Sequence, residues 1–383
     1  MANLLAACQP APTATPTAQE LVVGHYLVTS SSFVDLLPDG SFFSQQGSGT
    51  YRLEGDKITF VNEGNTICGD TPGVYQWSFE GSELTLTPVD DACPLRMNTF
   101  KALPLKRLEV DAPYVTFLWK TPVTDPDFNP NGLALDSAGN IYVSNGDLPQ
   151  IQKYDPQSNF LASWQFNAIQ DSSTYGTGVA TGKDGNIYPA SFLDARIEKF
   201  APDGTFLSSC QTQDGHPGPL GMGTDAQGNL CVALHRIYDH YVEKHDPDGK
   251  LVATWGIQGS GDGQVGAGPR SGPELIGVDA AGNNYISDFV NNRVVAFDQD
   301  GNHRFDITGD GNPDWAGPRD VAVDGLGHVF VVGDNPFIWE YDSNGKYLGR
   351  WLAPGIGPVA VASDGNIVTQ IPWGLAKMQL TRP

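Results

Sequence analysis

The sequence is short of basic side chains, cysteine and long apolar runs, and each shortage closes off a class of protein. Lysine and arginine together number 22 against 44 aspartates and glutamates, a formal charge of −22. A field of that sign repels phosphate backbones, and no basic stripe interrupts it, so the sequence argues against a nucleic-acid partner. The acidic excess is scattered through turns and serves solubility. No segment keeps a helical period over any useful length. None after the first few residues is apolar enough to cross a membrane. There is no Gly-x-Ser-x-Gly elbow and no Cys-x-x-Cys pair, which removes the commonest serine nucleophile and the common zinc spacing.

What the chain has in abundance is punctuation. Forty-five glycines and 28 prolines among 383 residues separate short apolar runs, the pattern of an all-β protein. From Pro130 onward one phrase recurs six times: an apolar run, a turn ending Gly-Asn or Gly-His, and a second apolar run. The turn glycines Gly139, Gly185, Gly228, Gly282, Gly327 and Gly365 are spaced by 46, 43, 54, 45 and 38 residues. That is the period of a propeller blade. A unit this small cannot bury its own apolar face, so neighbours must stack and close into a ring. The sixth unit ends near Leu380 before any outer strand, whereas Val115-Thr116-Phe117-Leu118-Trp119 reads as a spare one ahead of the first. The expected fold class is therefore a small antiparallel β-barrel followed by a six-bladed β-propeller closed by an N-terminal outer strand.

The fourth unit carries the fullest pattern. It runs from Trp255-Gly256 through a glycine-rich loop to Ile276-Gly277-Val278-Asp279, Gly282-Asn283, Tyr285-Ile286-Ser287-Asp288 and Asn291-Asn292-Arg293. That order resembles the NHL repeat, including its Asn-Arg pair, and the resemblance implies a six-bladed propeller over 112–383. Residues 20–108 alternate apolar and polar positions between Pro38-Asp39-Gly40 and Glu54-Gly55-Asp56 turns, and resemble the lipocalin-like domains of bacterial envelope proteins. Leu5-Ala6-Ala7-Cys8 resembles a bacterial lipobox, shortened to seven residues before the cysteine and lacking a basic region. The Pro/Thr/Ala-rich linker after it, within residues 1–19, has tether composition. This resemblance implies lipidation at Cys8, a membrane association through that anchor alone, and a bacterial envelope or extracellular location. In an oxidising compartment the remaining cysteines read as two local disulfides, Cys68–Cys93 and Cys210–Cys231.

Ligands of such propellers meet the face opposite the Gly-Asn turns, at the mouth of the central channel. Aligning the blades on those turns brings Asn131, Thr177, Leu220, Glu274, Arg319 and Gly357 to one rim. Glu274 and Arg319 then read as an inter-blade ion pair, and Asp320 as a structural hydrogen-bonding group. Blade three is irregular: His216, His235, Tyr238, Asp239 and His240 would form either an aromatic and imidazole binding lip or a disulfide-braced insertion that covers the blade. Asp306, Thr308, Asp310 and Asp314 fall at positions 1, 3, 5 and 9 of an oxygen-ligand loop, with Gly311 at position 6. A divalent cation such as calcium is the one cofactor this spacing suggests, set against an ordinary inter-blade loop. Two functions follow. The favoured one is an extracytoplasmic binding or scaffold protein for a protein, glycan or small-molecule ligand. The alternative is a metal-dependent lactonase- or lyase-like enzyme using Asn131, Glu274 and Asp320.

Overall fold

The computed structural model describes residues 17–29, 32–44, 47–62, 71–100, 104–108, 112–122, 130–146, 148–167, 178–213, 218–235, 240–266, 275–353, 357–371 and 374–380. Cys8 and its tether, like Cys68, lie outside them. The chain divides into two compact units, Met1–Val110 and Asp111–Pro383.

In the first unit eight strands follow one another in chain order, and the last, Leu105–Leu108, returns to pair with the first, Gly24–Thr29. The sheet is a closed barrel, which removes its edges. Period-2 alternation decides which side chains enter it: along Lys57–Asn62, Ile58, Phe60 and Asn62 are buried. Tyr26, Val34, Phe42, Tyr51, Phe60 and Tyr75 fill the interior, and Phe100 of the helix Pro94–Phe100 stacks 4.6 Å from Phe60. The inward aromatics are core, as the barrel's small size leads one to expect. Arg96 is buried on the same helix and holds the equally buried Asp91 through Nε and Nη2 at 2.7 Å. His25 is buried against Asp35 at 2.5 Å, a structural histidine. Cys93, just before the helix, is buried as well.

The second unit contains six four-stranded antiparallel sheets. Each inner strand lies beside the inner strand of the next blade, and that of blade six, Val359–Val361, lies beside that of blade one, Pro130–Leu135. The ring is closed. Blade six supplies three of its own strands, and its outer strand is Thr116–Pro122, antiparallel to Gly374–Gln379. The expected closing strand is thus in place, with Val115 hydrogen-bonded to Leu352 of blade five. Separate apolar cores fill the joints between blades. The joint of blades five and six contains Phe330, Ile338, Trp351 and Met378, and that of six and one contains Val143, Tyr154, Val368 and Leu375.

The recurrent phrase has a physical cause. Asp136 accepts hydrogen bonds from the amides of Ala138 and Asn140 at 2.9 Å, and from the Asn140 side chain at 2.7 Å. Asp225 with Asn229 and Asp279 with Asn283 repeat that cage, and Asp155, Asp298 and Asp342 build its counterpart between third and outer strands. The glycine in each inner turn sits at a φ of 78° to 86°, a left-handed conformation that side chains with a Cβ resist.

These cages predict an acid sensitivity. The Asn159 side chain holds Asp155 below the usual carboxylate range, and the Lys346 amide does so for Asp342. Burial opposes ionisation of Asp225 and Asp298, but bonds from Asn229 and Asn302 outweigh it and lower both. A carboxylate with a depressed folded pKa contributes stability that is complete above its unfolded pKa and is lost as pH falls through the folded value. Urea midpoints for the propeller should therefore fall between neutral pH and about pH 3. An unchanged midpoint would contradict the role given to the cages.

Candidate functional site

The rim is built by a local irregularity of the inner strands. In blades one, three and five the strand opens on proline, and its ladder slips by one residue immediately afterwards: between Pro130 and Gly132, Pro219 and Gly221, and Pro318 and Asp320. Asn131, Leu220 and Arg319 are the skipped residues. A bulge frees its extra residue from the pairing pattern and re-aims its side chain, so three positions aligned from sequence prove to be one device. Gly357 occupies the matching start of blade six, where a Cβ would come 3.0 Å from Gln370. Glu274 and Thr177 lie outside the described residues.

Most polar groups behind this rim are committed to structure. Ser144 and Ser287, both fully buried, accept the amides of Gly132 and Leu275 at 3.0 and 2.8 Å. The Asp320 carboxylate accepts the amides of Val321 and Val359, each at 2.7 Å, and so ties blade five to blade six. It is the structural bond the sequence favoured. Arg319 meets Asp334 of its own blade, and its guanidinium lies 4.2 Å over the ring of Phe289 from blade four. Both charges are about half exposed, 49% and 46%, so the pair adds little stability.

On blade three, His235 and His240 do meet, edge to face at 5.6 Å, with Phe192 of blade two 6.4 Å from His235. His240 is buried. His216, Tyr238 and Asp239 lie outside the described residues. The expected Cys210–Cys231 bridge is overturned: both are free thiols. They flank one loop in sequence, but that loop runs from the outer strand of blade two, Phe206–Gln211, to the inner strand of blade three. Cys231 then sits on the second strand of blade three, where burial pushes its thiol up to about 12.

In the oxygen-ligand loop the side chains of Asp306 and Asp314 have protein partners. Asp306 is held by Arg293 Nη1 at 2.7 Å and by His303 Nε2 at 2.9 Å, and Asp314 by Arg350 Nη1 at 2.6 Å. Asp310 lies in the short 3-10 turn Gly309–Gly311, preceded by Thr308. Two of the four carboxyl or hydroxyl groups are thus spent on arginines. Among the described residues no group of three or more His, Cys, Asp or Glu side chains is placed to hold a metal ion.

The same turn instead walls a cleft the sequence did not reveal. Gly309, Asp310, Asn312 and Pro313 face Trp339, Tyr341 and Tyr347 of blade five across about 270 Å³. Trp339 and Tyr341 are 2% and 1% exposed and form the floor, whereas Tyr347 is 40% exposed. The buried hydroxyl of Tyr341 has no hydrogen-bond partner among the described residues. Burial, helped by the Asp310 charge, raises its pKa, so it is a neutral phenol able to donate and accept. A signal did exist. The third strand of blade five, Phe337–Tyr341, carries tryptophan where the first three blades carry Gln152, Glu198 and Glu243.

No known family profile matches the chain, and no curated protein matches it in sequence. Solved structures do resemble it. A streptogramin B lyase shares 14% identity at a TM-score of 0.51, covering 81% of this chain and 90% of its own. A calcium-binding regucalcin from Agrobacterium tumefaciens shares 15% at 0.51, covering 70% and 93%. A gluconolactonase from Xanthomonas campestris shares 14% at 0.50, covering 71% and 99%. At these identities the likeness establishes the propeller fold and nothing finer.

Proposed function

We propose that this chain is an extracytoplasmic binding protein, lipid-anchored at Cys8, whose NHL-like propeller takes a neutral saccharide in the cleft between Gly309–Gly311 and Tyr347. The lipobox-like start and its proline-rich tether support the anchor. The observation that carries the binding reading is the Tyr341 hydroxyl, buried in an aromatic cleft with no hydrogen-bond partner among the described residues. A buried polar group left unpaired costs about 1–3 kcal/mol, and a ligand hydroxyl would recover it. A pyranose offers such hydroxyls beside an apolar C–H face that suits an exposed tyrosine ring. Asp310 and Asn312 add polar groups, and the net charge of −22 disfavours anionic ligands. At about 270 Å³ the cleft suits a single ring better than a drug-sized ligand.

The full chain should bind neutral glycans on an array with affinity of the order of millimolar per ring. Tyr347→Ala should abolish detectable binding, and Tyr341→Phe should weaken it about fivefold through the lost hydrogen bond. Binding that survives Tyr347→Ala unchanged, or an array with no neutral glycan hit, would remove this reading. The competing enzyme needs Asp320 as a metal ligand, so that carboxylate would have to release Val321 and Val359. A stoichiometric ion lost in Asp320→Asn would favour it.

A further inference from the structure

One joint of the ring differs chemically from the rest. The outer strands carry Trp164, Cys210, Trp255, Ile307 and Trp351 at one register, opposite Ile151, Ile197, Val242, Val294 and Ile338. The third strands end in Tyr154, Phe200, His245, Phe297 and Tyr341 at another. Between blades one and two, Trp164 packs on Phe200 at 6.3 Å and closes over Gly204. Between blades three and four, Trp255 closes over Gly301. Between blades two and three the same places are taken by Cys210, His245 and Gly249.

Replacing an indole by a thiol leaves a narrow pocket lined by Tyr188, Lys199, Cys210, His245 and Gly249, with about 20 Å³ of free space, enough for a water-sized group. His245 lies between two acceptors, the Glu243 carboxylate at 2.8 Å from Nε2 and the Gly249 carbonyl at 3.2 Å from Nδ1. Two acceptors on opposite nitrogens favour the doubly protonated ring. Burial opposes that charge, yet bonds to Cys210, Glu243 and Gly249 outweigh it and raise His245 to about 10. A half-buried thiol therefore shares a pocket with a held imidazolium, whose carboxylate partner Glu243 is fully buried.

We propose that Cys210 is a thiol modification site for small electrophiles of the hydroperoxide class, with His245 positioning and stabilising its sulfur as negative charge develops. The sulfur attacks one peroxide oxygen, the S–O bond forms as the O–O bond breaks, and sulfur gives up two electrons. The departing hydroxide, or the alkoxide of an organic hydroperoxide, takes the thiol proton, so Cys–SH and a hydroperoxide become Cys–SOH and water or an alcohol. The proposal is independent of saccharide binding.

The test is mass-spectrometric mapping of the full chain at neutral pH, after hydrogen peroxide with dimedone trapping and, separately, after iodoacetamide. Cys210 should be labelled at least about tenfold faster than Cys231. His245→Phe, which installs the side chain of Phe200 and Phe297, should slow Cys210 about tenfold while near-ultraviolet circular dichroism stays native. His245→Gln, neutral but hydrogen-bonding, gives the same comparison if phenylalanine fails to pack. Labelling of Cys210 that is no faster than that of Cys231, or is unchanged in a folded His245 variant, would overturn the proposal.

Discussion

A full-length chain lacking residues 113–119 is expected to lose the cooperative unfolding transition of its propeller. The excised segment is the start of the strand that completes blade six, pairing from Gly374↔Pro122 to Gln379↔Thr116. Its loss uncovers a long sheet edge and opens two joints at once. Val115 and Phe117 pack in the core of blades five and six, and Trp119 in the core of blades six and one. Full burial of one such side chain is worth roughly 1.5–3 kcal/mol, so buried Val115 with partly buried Phe117 and Trp119 supplies a large share of a domain stability of about 5–15 kcal/mol. The exposed edge of Gly374–Gln379 should also promote aggregation. Near-ultraviolet circular dichroism and limited proteolysis read the outcome. Wild-type protease resistance in the deletion would show that the ring closes by some other means.

Arg293→Met should destabilise the propeller by about 3–5 kcal/mol, the cost of leaving a buried carboxylate without its cation. The guanidinium is spread over four acceptors: Asp288 at 3.1 Å, Asp306 at 2.7 Å, and the carbonyls of Gly261 and Gln264 at 3.0 and 2.9 Å. Asp288 is fully buried and would be stranded. Arg293→Lys should recover less than half, because one ammonium cannot span a planar fork of acceptors. Adding Asp288→Asn to Arg293→Met should restore part of the loss. Denaturant unfolding of the full chain measures all three, and a shift under about 1 kcal/mol for Arg293→Met would refute the assignment.

The Arg293 network also shows what the sequence could and could not disclose. The Asn-Arg pair was readable as a motif. Its reason was not, because Asn292 adopts a φ of 53° to accept the Gly317 amide, and Arg293 gathers a loop about thirty residues upstream. The six turns and the spare strand were legible because each turn's aspartate bonds locally, as an Asp-x-x-Gly-Asn cage in blades one, three and four, and because alternating runs act locally too. Rim positions came through for a related reason: a count from the turn survives the bulge at Asn131, Leu220 and Arg319. Pairings across blades did not. Cys210 and Cys231 border one loop, and nothing in the intervening residues says that the loop carries the chain from the ring's periphery to its axis. The spacing of Asp306, Thr308, Asp310 and Asp314 was equally blind to Arg293 and Arg350, which arrive from other strands and take two of the carboxylates. The aromatic cleft needed blade five and the loop ahead of it together.

The strand exchange in blade six has a consequence for biosynthesis. Thr116–Pro122 is made before any blade, and its partner Gly374–Gln379 is made after the other strands of the ring. Five blades can therefore leave the ribosome and pack in sequence while the joint between the last and the first stays open. An early strand must wait for the sixth blade with its hydrogen-bonding edge unsatisfied. Synthesis of the sixth blade, and not packing of the first five, sets the moment at which the propeller becomes a ring.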